Sequence, residues 1–341
     1  MNILVVRLSA IGDCTLVLPV IRAILEQKPN AKVTWLIGRA AYSLLKDCRH
    51  PRLTLMAIDK PRSFKDYRTI KRRLDDHYDV LLAMQASTRA NLIYPLVKAE
   101  RKIGFDKTRA RELQWLFTNE RIAFRLEHLH DSFCQFAKLL GVTTDNLDWG
   151  IETTESLQGI GLPKQYLVIN PAASKLERSW FAQHYAEIID YCQNQFGLTT
   201  VLTGGTAQFE LQLCEDIKNA CRSEVIDLVG KTSLQQLAIV MELAQFCIAP
   251  DTGPAHIANA MGTAVIGLYA VAPSRLSGPY FSLTQGQNLT IDKFNDAVKT
   301  FLCKNPDEIP WRTRVHNREA MALISVDEVK AKIKDVMISL N

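Results

Sequence analysis

The amino-acid sequence predicts an α/β protein built from two doubly wound parallel sheets. Three observations support this fold class. Short apolar runs alternate with amphipathic runs over residues 1–140. A polar stretch with turn residues follows at 142–165, and the alternation then restarts. The length of 341 residues also exceeds one typical hydrophobic core, so we expect two domains.

In the first half, each predicted strand is a short apolar run and each predicted helix has apolar residues at helical spacing. In chain order these elements are strand Ile3–Leu8, helix Thr15–Gln27, strand Lys32–Ile37, helix Arg39–Cys48, strand Leu53–Ile58, helix Phe64–Asp76, strand Val80–Met84, helix Ala90–Val97 and helix His130–Leu140.

The second half repeats the pattern: strand Tyr166–Asn170, helix Trp180–Phe196, strand Thr199–Thr203, helix Phe209–Cys221, strand Val225–Leu228, helix Leu234–Leu243, strand Phe246–Ala249, helix Pro254–Met261, strand Ala264–Tyr269 and helix Val326–Leu340. We therefore expect domains at 1–150 and 151–325 that face each other across a cleft. Residues 326–341 are expected to form a helix that packs back on the first domain.

Composition narrows the class of protein. Hydrophobic residues make up 47% and charged residues 23% of the chain, as in soluble globular proteins. No uncharged run approaches a membrane span, and the first residues enter a strand without a signal-peptide pattern. The eight cysteines are scattered without a C-x-x-C pair. This pattern favours reduced thiols in the cytoplasm over a disulfide framework or a metal site.

Charge is distributed unevenly along the chain. Residues 1–150 contain 25 Lys and Arg against 16 Asp and Glu, whereas the remainder contains 16 against 20. The basic excess is concentrated in Lys60–Arg73 and Lys98–Arg111. Any one of these basic residues could simply lie on a helix face exposed to solvent. The basic excess as a whole indicates an anionic partner. Nucleic acid is not expected, because no zinc-finger or RNP motif and no interleaved aromatic residues accompany these stretches.

The first of three polar corners lies in VVRLSAIGDCTLVLPV, residues 5–20, where a strand passes into a helix. Ser9 and Gly12 allow a ligand to approach the backbone closely. Asp13 stands where a helix N-cap is expected, which alone would explain an aspartate. The alternative is a carboxylate at the carboxyl end of the strand that acts as a general base.

The second corner is NPAASKLERSW, residues 170–180. Ser174, Lys175 and Arg178 offer hydroxyl, ammonium and guanidinium groups near a helix start, which suits phosphate oxygens. An ordinary capped loop with exposed basic residues is the alternative interpretation.

The third corner is APDTGPAHIANAMGT, residues 249–263. Asp251 and Thr252 end a strand, Gly253 permits a tight turn, and Pro254 fits the first helical position. Backbone N–H groups at such a helix start can bind an anion, and His256 in the first turn can donate to a phosphate.

Missing motifs exclude other classes. No G-x-G-x-x-G follows a strand, no D-x-D pair predicts a metal–diphosphate clamp, and no G-x-S-x-G elbow is present. These absences argue against a nicotinamide dehydrogenase, a metal-dependent transferase and a serine hydrolase.

Taken in order, the corners resemble glycosyltransferase family 9, the ADP-heptose:lipopolysaccharide heptosyltransferases. The matching pieces are RLSAIGD (7–13), NPAASKLERSW (170–180), TGG (203–205) and APDTGPAHIANAMGTAVIGLY (249–269). Within the family, QASTRANLI (85–93) and GFDKTRARELQWLF (104–117) resemble heptosyltransferase I, which acts on the inner Kdo sugar, more than heptosyltransferase II.

The resemblance implies a GT-B fold and an inverting transfer that needs no metal and no cofactor. The nucleotide-sugar ADP-heptose would bind mainly to the second half, and the acceptor to the first. By position, Asp13 would be the base and Ser9 and Gly12 would line its loop. The residues implied to hold the diphosphate-sugar are Ser174, Arg178, Asp251, Thr252, Gly253 and His256.

The resemblance also suggests a partner for the basic first half. The lipopolysaccharide inner core, Kdo-lipid A, is rich in phosphate and carboxylate. Arg68, Arg72 and Arg73 would meet it at the inner face of the inner membrane, where the enzyme would be a peripheral cytoplasmic protein.

Two positions depart from the family pattern. Arg178 stands where relatives often have Lys, and Ala83 where they often have Asp. Three alternatives remain open: a family 9 transferase with another sugar or acceptor, a glycan- or nucleotide-binding relative without catalysis, and a non-hydrolysing sugar-nucleotide epimerase.

Overall fold

The computed structural model describes residues 1–75, 77–281 and 289–340. The chain divides into two compact units, Met1–Thr153 and Thr154–Asn341. Each unit contains one six-stranded sheet in which all paired strands are parallel. The division falls within the polar stretch 142–165, which the structure describes throughout and which contains no helix or strand.

The first unit has the sheet order β3-β2-β1-β4-β5-β6. Its elements are β1 (Asn2–Val6), α1 (Ile11–Gln27), β2 (Lys32–Gly38), α2 (Arg39–Leu45), β3 (Leu53–Ile58), α3 (Phe64–Arg73), β4 (Tyr78–Leu82), α4 (Thr88–Asn91), a 3-10 helix (Tyr94–Leu96), β5 (Ala99–Gly104), a 3-10 helix (Gln114–Leu116), β6 (Glu120–Arg121) and α5 (Leu129–Lys138).

The second unit has the order β12-β11-β10-β7-β8-β9. Its elements are β7 (Tyr166–Ile169), a 3-10 helix (Leu176–Arg178), α6 (Ala182–Phe196), β8 (Thr199–Leu202), α7 (Gln208–Ala220), β9 (Val225–Asp227), α8 (Leu234–Glu242), β10 (Cys247–Pro250), α9 (Gly253–Ala260), β11 (Val265–Tyr269), α10 (Ser274–Ser277), β12 (Ile291–Asp292), α11 (Phe294–Ala297), a π-helix (Val298–Leu302), a 3-10 helix (Arg318–Leu323) and α12 (Val326–Leu340).

Both sheets have the same order when each is numbered from its own first strand. The chain winds outward from the first strand to the third and then crosses to the fourth on the other side. This confirms the predicted fold class of two doubly wound parallel sheets. The central strands are buried on both faces, which explains their near-continuous apolar sequences.

Several predicted boundaries are wrong for local reasons. The helix predicted over Ala90–Val97 is divided into α4 and a 3-10 helix that contains Pro95, which has no N–H to donate. The strand β5 was not predicted, because its sequence AERKIG contains three charged residues. The predicted end of the third helix at Asp76 lies outside the described residues, and α3 ends at Arg73.

The C-terminal helix belongs to the second of the two compact units, and its packing on the first unit stays a prediction. Helix α12 packs against α6 and β11. Its residues Val329, Ile333 and Val336 lie in the same buried cluster as Trp180. The apolar face of α12 is therefore covered by the core of the second unit.

Candidate active site

In a doubly wound sheet, ligands bind at the carboxyl edge where the strand order reverses. In the first unit this point lies between β1 and β4, and in the second unit between β7 and β10. The segments that follow β1, β7 and β10 contain the predicted site residues, apart from three arginines on α3. We therefore describe the site of each unit separately.

Asp13 occupies the third position of α1 and not the predicted N-cap, which is Ala10. Its Oδ2 accepts a hydrogen bond of 3.0 Å from the backbone N–H of Ala10. The carboxylate thus reaches back to the start of the helix, and 23% of its side chain remains exposed. Gly12 is buried beside it, and Ser9 is partly exposed in the preceding loop. The corner brings Ser9, Gly12 and Asp13 together as predicted.

Arg7 is a site residue that sequence reasoning missed. Its Nη2 donates to Oδ2 of Asp13, and its Nη1 donates to the carbonyl oxygen of Met84 at 2.8 Å. The buried guanidinium also lies 5.3 Å from the ring centroid of Phe133. A fixed positive charge therefore balances the Asp13 carboxylate. The sequence offered one signal for Arg7, which is a charged residue directly after an apolar strand.

Gln85 joins the segment after β4 to the loop after β1. Its Oε1 accepts from the backbone N–H groups of Leu8, at 2.6 Å, and Ser9, at 3.2 Å. Its Nε2 donates to Oγ of Ser9 at 3.2 Å. The backbone carbonyl of Gln85 accepts from Tyr94 Oη and from Gln114 Nε2. These bonds fix the loop that precedes Asp13.

In the second unit an ion pair joins the segments after β7 and β10. Nη1 of Arg178 lies 3.2 Å from Oδ2 of Asp251. Both side chains are about four-fifths buried, which strengthens their attraction. Nε of Arg178 is buried and finds no hydrogen-bond partner among the described residues. A buried donor of this kind indicates a place for a further polar group.

Helix α9 begins directly after Asp251. Thr252 is its N-cap, Gly253 its first residue and Pro254 its second, one position later than predicted. The first N–H groups of a helix lack intrahelical acceptors and carry partial positive charge. His256 is buried in this first turn. This corner is suited to hold an anion.

Ser174 is exposed in the segment between β7 and the 3-10 helix that contains Arg178. The buried Oγ of Ser179 accepts from the N–H of Ala173 at 3.0 Å and shapes this segment. Glu177 binds His316 at 2.8 Å, and this hydrogen bond lowers the pKa of the Glu177 carboxyl group. The segment is therefore tied to the C-terminal part of the same unit.

Tyr269, at the end of β11, was also missed. Its hydroxyl group is buried without a hydrogen-bond partner among the described residues. Burial raises the pKa of Tyr269 well above its usual range, and the charges of Asp251 and Asp292 raise it further. The hydroxyl therefore stays protonated and remains a donor.

The three predicted arginines lie on α3. Arg68, Arg72 and Arg73 are exposed, and Nη1 of Arg73 donates to the carbonyl oxygen of Ala57 at 2.9 Å. Helix α3 follows a strand, so it begins near the carboxyl edge of the sheet and runs away from that edge. Arg72 and Arg73 therefore lie about 12 Å farther along the axis of α3 than Phe64.

The described helices are all too short or too polar to cross a lipid bilayer. Two doubly wound units, one with a fixed carboxylate and the other with an anion-suited corner, agree with the GT-B glycosyltransferase class that the sequence resemblance implies. Comparison with known proteins identifies the family.

The model of glycosyltransferase family 9 (heptosyltransferase) matches residues 67–302. The chain is 32% identical to the lipopolysaccharide core heptosyltransferase OpsX of Haemophilus influenzae over 98% of its length and 96% of that protein. The chain belongs to glycosyltransferase family 9, which confirms the resemblance seen in its motifs.

Solved structures agree on the fold. The family 9 glycosyl transferase of Veillonella parvula superposes with a TM-score of 0.78 at 19% identity, covering 99% of this chain and 97% of that one. Escherichia coli heptosyltransferase WaaC with ADP gives a TM-score of 0.71 at 21% identity, covering 98% and 100%.

Proposed function

We propose that this protein transfers heptose from ADP-heptose to the Kdo region of the lipopolysaccharide inner core, with inversion and without a metal ion or other cofactor. The observation that carries the proposal is the Asp13 carboxylate, which Arg7 and the N–H of Ala10 hold at the carboxyl edge of the first sheet. The relative OpsX, described as a lipopolysaccharide core heptosyltransferase, supports this choice of sugar and acceptor.

Asp13 is the general base of the proposed reaction. An acceptor hydroxyl attacks the anomeric carbon of the donor on the face opposite the leaving group, and its proton passes to a carboxylate oxygen of Asp13. The bond between the anomeric carbon and the diphosphate oxygen breaks, and its electron pair leaves with ADP. The hydroxyl becomes acidic as the new bond forms, so a carboxylate is a sufficient base.

The second unit holds the diphosphate in this proposal. Arg178 and the N-terminal N–H groups of α9 at Thr252 and Gly253 stabilise the charge that grows on the leaving ADP. The unpartnered Nε of Arg178 supports this role, since a phosphate oxygen would supply its acceptor. Ser174, Asp251 and His256 complete the donor site.

The acceptor meets the basic first unit. Arg68, Arg72 and Arg73 bind its phosphate and carboxylate groups, and the enzyme works at the inner face of the inner membrane. Replacing all three with Ser raises the acceptor KM and leaves the donor KM unchanged. Unchanged acceptor kinetics would refute this part of the proposal.

The first experiment is thermal unfolding in EDTA with ADP, UDP, GDP and NAD in parallel. A ligand at 100 times its Kd adds about 2.7 kcal/mol to the free energy of unfolding. A shift with ADP alone supports an ADP-sugar donor that binds without metal. A shift with UDP or GDP instead would mean that the donor carries a sugar other than heptose. This alternative stays open because Arg178 and Ala83 both depart from the family pattern.

Asp13→Asn tests whether the protein is an enzyme. The variant keeps the carbonyl oxygen but not the base, so turnover is lost while ADP binding persists. Equal behaviour of variant and wild type would favour a binding protein without catalysis. Product that forms without any acceptor would favour an epimerase.

A further inference from the structure

The first unit exposes four large apolar side chains next to its cationic helix. Phe64, the first residue of α3, is 95% exposed, and Leu92, Leu113 and Leu116 are each about half exposed. Each belongs to a segment that follows β3, β4 or β5, so all four lie towards the carboxyl edge of the sheet. This is the edge at which Asp13 stands.

Hydrogen bonds join the three segments into one surface. Tyr67 Oη on α3 donates to the carbonyl oxygen of Arg89 on α4 at 3.3 Å. Nδ2 of Asn91 donates to the carbonyl oxygens of Arg111 and Glu112, both at 2.8 Å. We call the surface formed by α3, residues 88–92 and residues 111–116 the edge surface.

The backbone presents Leu113 outward at an energetic cost. Glu112 and Leu113 have φ values of 53° and 61°, a left-handed conformation that residues with a side chain rarely adopt. The buried Asn91 holds this turn, and Thr88 Oγ1 donates to the Glu112 carboxylate at 3.0 Å. Strain that the surroundings maintain is characteristic of functional loops.

The charge of the edge surface indicates what covers it. The helix that begins at Phe64 and the segment before it carry exposed Lys and Arg side chains: Lys60, Arg62, Lys65, Arg68, Lys71, Arg72 and Arg73. Apolar side chains among many cations are typical of segments that lie in the interface of an anionic membrane.

We propose that the edge surface docks on an anionic phospholipid bilayer. Phe64, Leu92, Leu113 and Leu116 enter the interface, and the cationic side chains contact the headgroup phosphates. The inference rests on the proposed function in one respect: docking would turn the edge that carries Asp13 towards a lipid-linked acceptor.

Sedimentation with vesicles tests the proposal. Vesicles of phosphatidylethanolamine and phosphatidylglycerol are compared with vesicles of phosphatidylcholine alone, using the wild type, Phe64→Ser, Leu113→Ser and the control Leu243→Ser. Leu243 is 55% exposed, as is Leu113, but lies in the second unit. We expect binding to the anionic vesicles only. Phe64→Ser should lower partitioning about tenfold and Leu113→Ser several-fold, whereas Leu243→Ser should leave it unchanged.

Other results would overturn the proposal. Absent binding to anionic vesicles would do so, and so would equal binding by all variants, which would mean that charge alone holds the protein at the surface. If Phe64→Ser changes the sedimentation coefficient of the protein without vesicles, a second copy of the chain covers the surface instead.

An assay with a delipidated acceptor glycan separates this inference from the proposed function. Phe64→Ser should transfer sugar to this acceptor at the wild-type rate. If the wild type itself transfers no heptose, the proposed function fails, but the vesicle result still decides the docking surface.

Discussion

A carboxylate that removes a proton must be charged, oriented and reachable. Asp13 is oriented by the N–H of Ala10 and by Arg7, and part of its surface remains open. Arg7 is itself held by the Met84 carbonyl oxygen, so the segments after β1 and β4 together position the carboxylate that we propose as the base. The guanidinium group of Arg7 therefore determines the position of the Asp13 carboxylate.

Replacing Arg7 with Met should therefore impair the chemical step more than donor binding. We expect kcat to fall about 100-fold, the size of effect expected when a catalytic group moves by about 1 Å. The affinity for ADP, measured by calorimetry, should stay unchanged. Arg22→Met is the matched control, because Arg22 pairs with Asp148 and Glu152 in the same unit. A kcat equal to that of the control would mean that Arg7 has a structural role only.

Sequence reasoning found the site residues that are neighbours along the chain. Ser9, Gly12 and Asp13 share one corner, so their proximity could be predicted. The contacts of Arg7 with Met84 and of Gln85 with Leu8 join residues 77 positions apart. These depend on the register of β1 against β4, which local patterns do not determine.

The end of one strand can constrain the loop after its neighbour. A Cβ atom added to Gly38, the last residue of β2, would lie 2.1 Å from the carbonyl oxygen of Leu8. Real Cβ atoms do not approach a backbone oxygen so closely. Gly38 is therefore required for β2 to pass the segment that leads to Ser9.

Gly38→Ala should displace that segment. We expect a loss of about 1–3 kcal/mol in the free energy of unfolding and at least a tenfold loss of kcat, because the backbone rather than a flexible side chain must move. Gly161→Ala is the control, since nothing lies within 4 Å of the added atom there. Wild-type stability and kcat in Gly38→Ala would contradict the argument.

The packing of α1 on α5 contains a buried histidine. Nδ1 of His130 lies 2.9 Å from the carbonyl oxygen of Leu16, and its ring lies 4.5 Å from that of Trp149. Burial lowers the pKa of His130 from its usual 6.5 to about 4. The unfolded chain therefore binds an extra proton between these values, and the stability of the first unit rises with pH across this window.

We expect the titration of His130 to make the free energy of unfolding of the first unit about 2 kcal/mol lower at pH 5 than at pH 7. The difference should disappear in His130→Gln, which cannot be charged, and persist in His77→Gln, whose ring is exposed. Denaturant unfolding at the two pH values measures this. An equal pH difference in the wild type and His130→Gln would show that other groups cause it.

At the scale of elements, buried strands and long helices were predictable because their apolar periodicity is strong. The edge elements were not: β6 and β12 have two residues each, and the charged β5 resembles a surface loop. The start of α1 was placed four residues late, because the small residues before Thr15 indicate a loop as readily as a first turn.

In the whole molecule, the two units repeat one winding order but differ in charge and in chemistry. The first unit has the basic excess and the carboxylate, and the second has the ion pair of Arg178 with Asp251 and the start of α9. The repeat of the fold was readable from two runs of alternating elements separated by a polar stretch. The place of the last helix was not, because an amphipathic face does not say which core it covers.

The position of α12 gives the last prediction. Ile333 is fully buried in the core of the second unit, whereas Ile338 on the same helix is 75% exposed. Ile333→Ala should lower the free energy of unfolding of the second unit by about 2–5 kcal/mol, whereas Ile338→Ala should change it little. Hydrogen exchange can locate the loss, since amides are protected only while their unit stays folded.

Because α12 packs on α6, we expect Ile333→Ala to speed exchange in β7 and α6 and to leave β1 as in the wild type. Trp180 links this helix to the segment of Arg178, because its Nε1 donates at 3.1 Å to the carbonyl oxygen of Ile324, two residues before α12 begins. The segment of Arg178 should therefore lose protection together with β7. Exchange in β7 and α6 at the wild-type rate would contradict this argument.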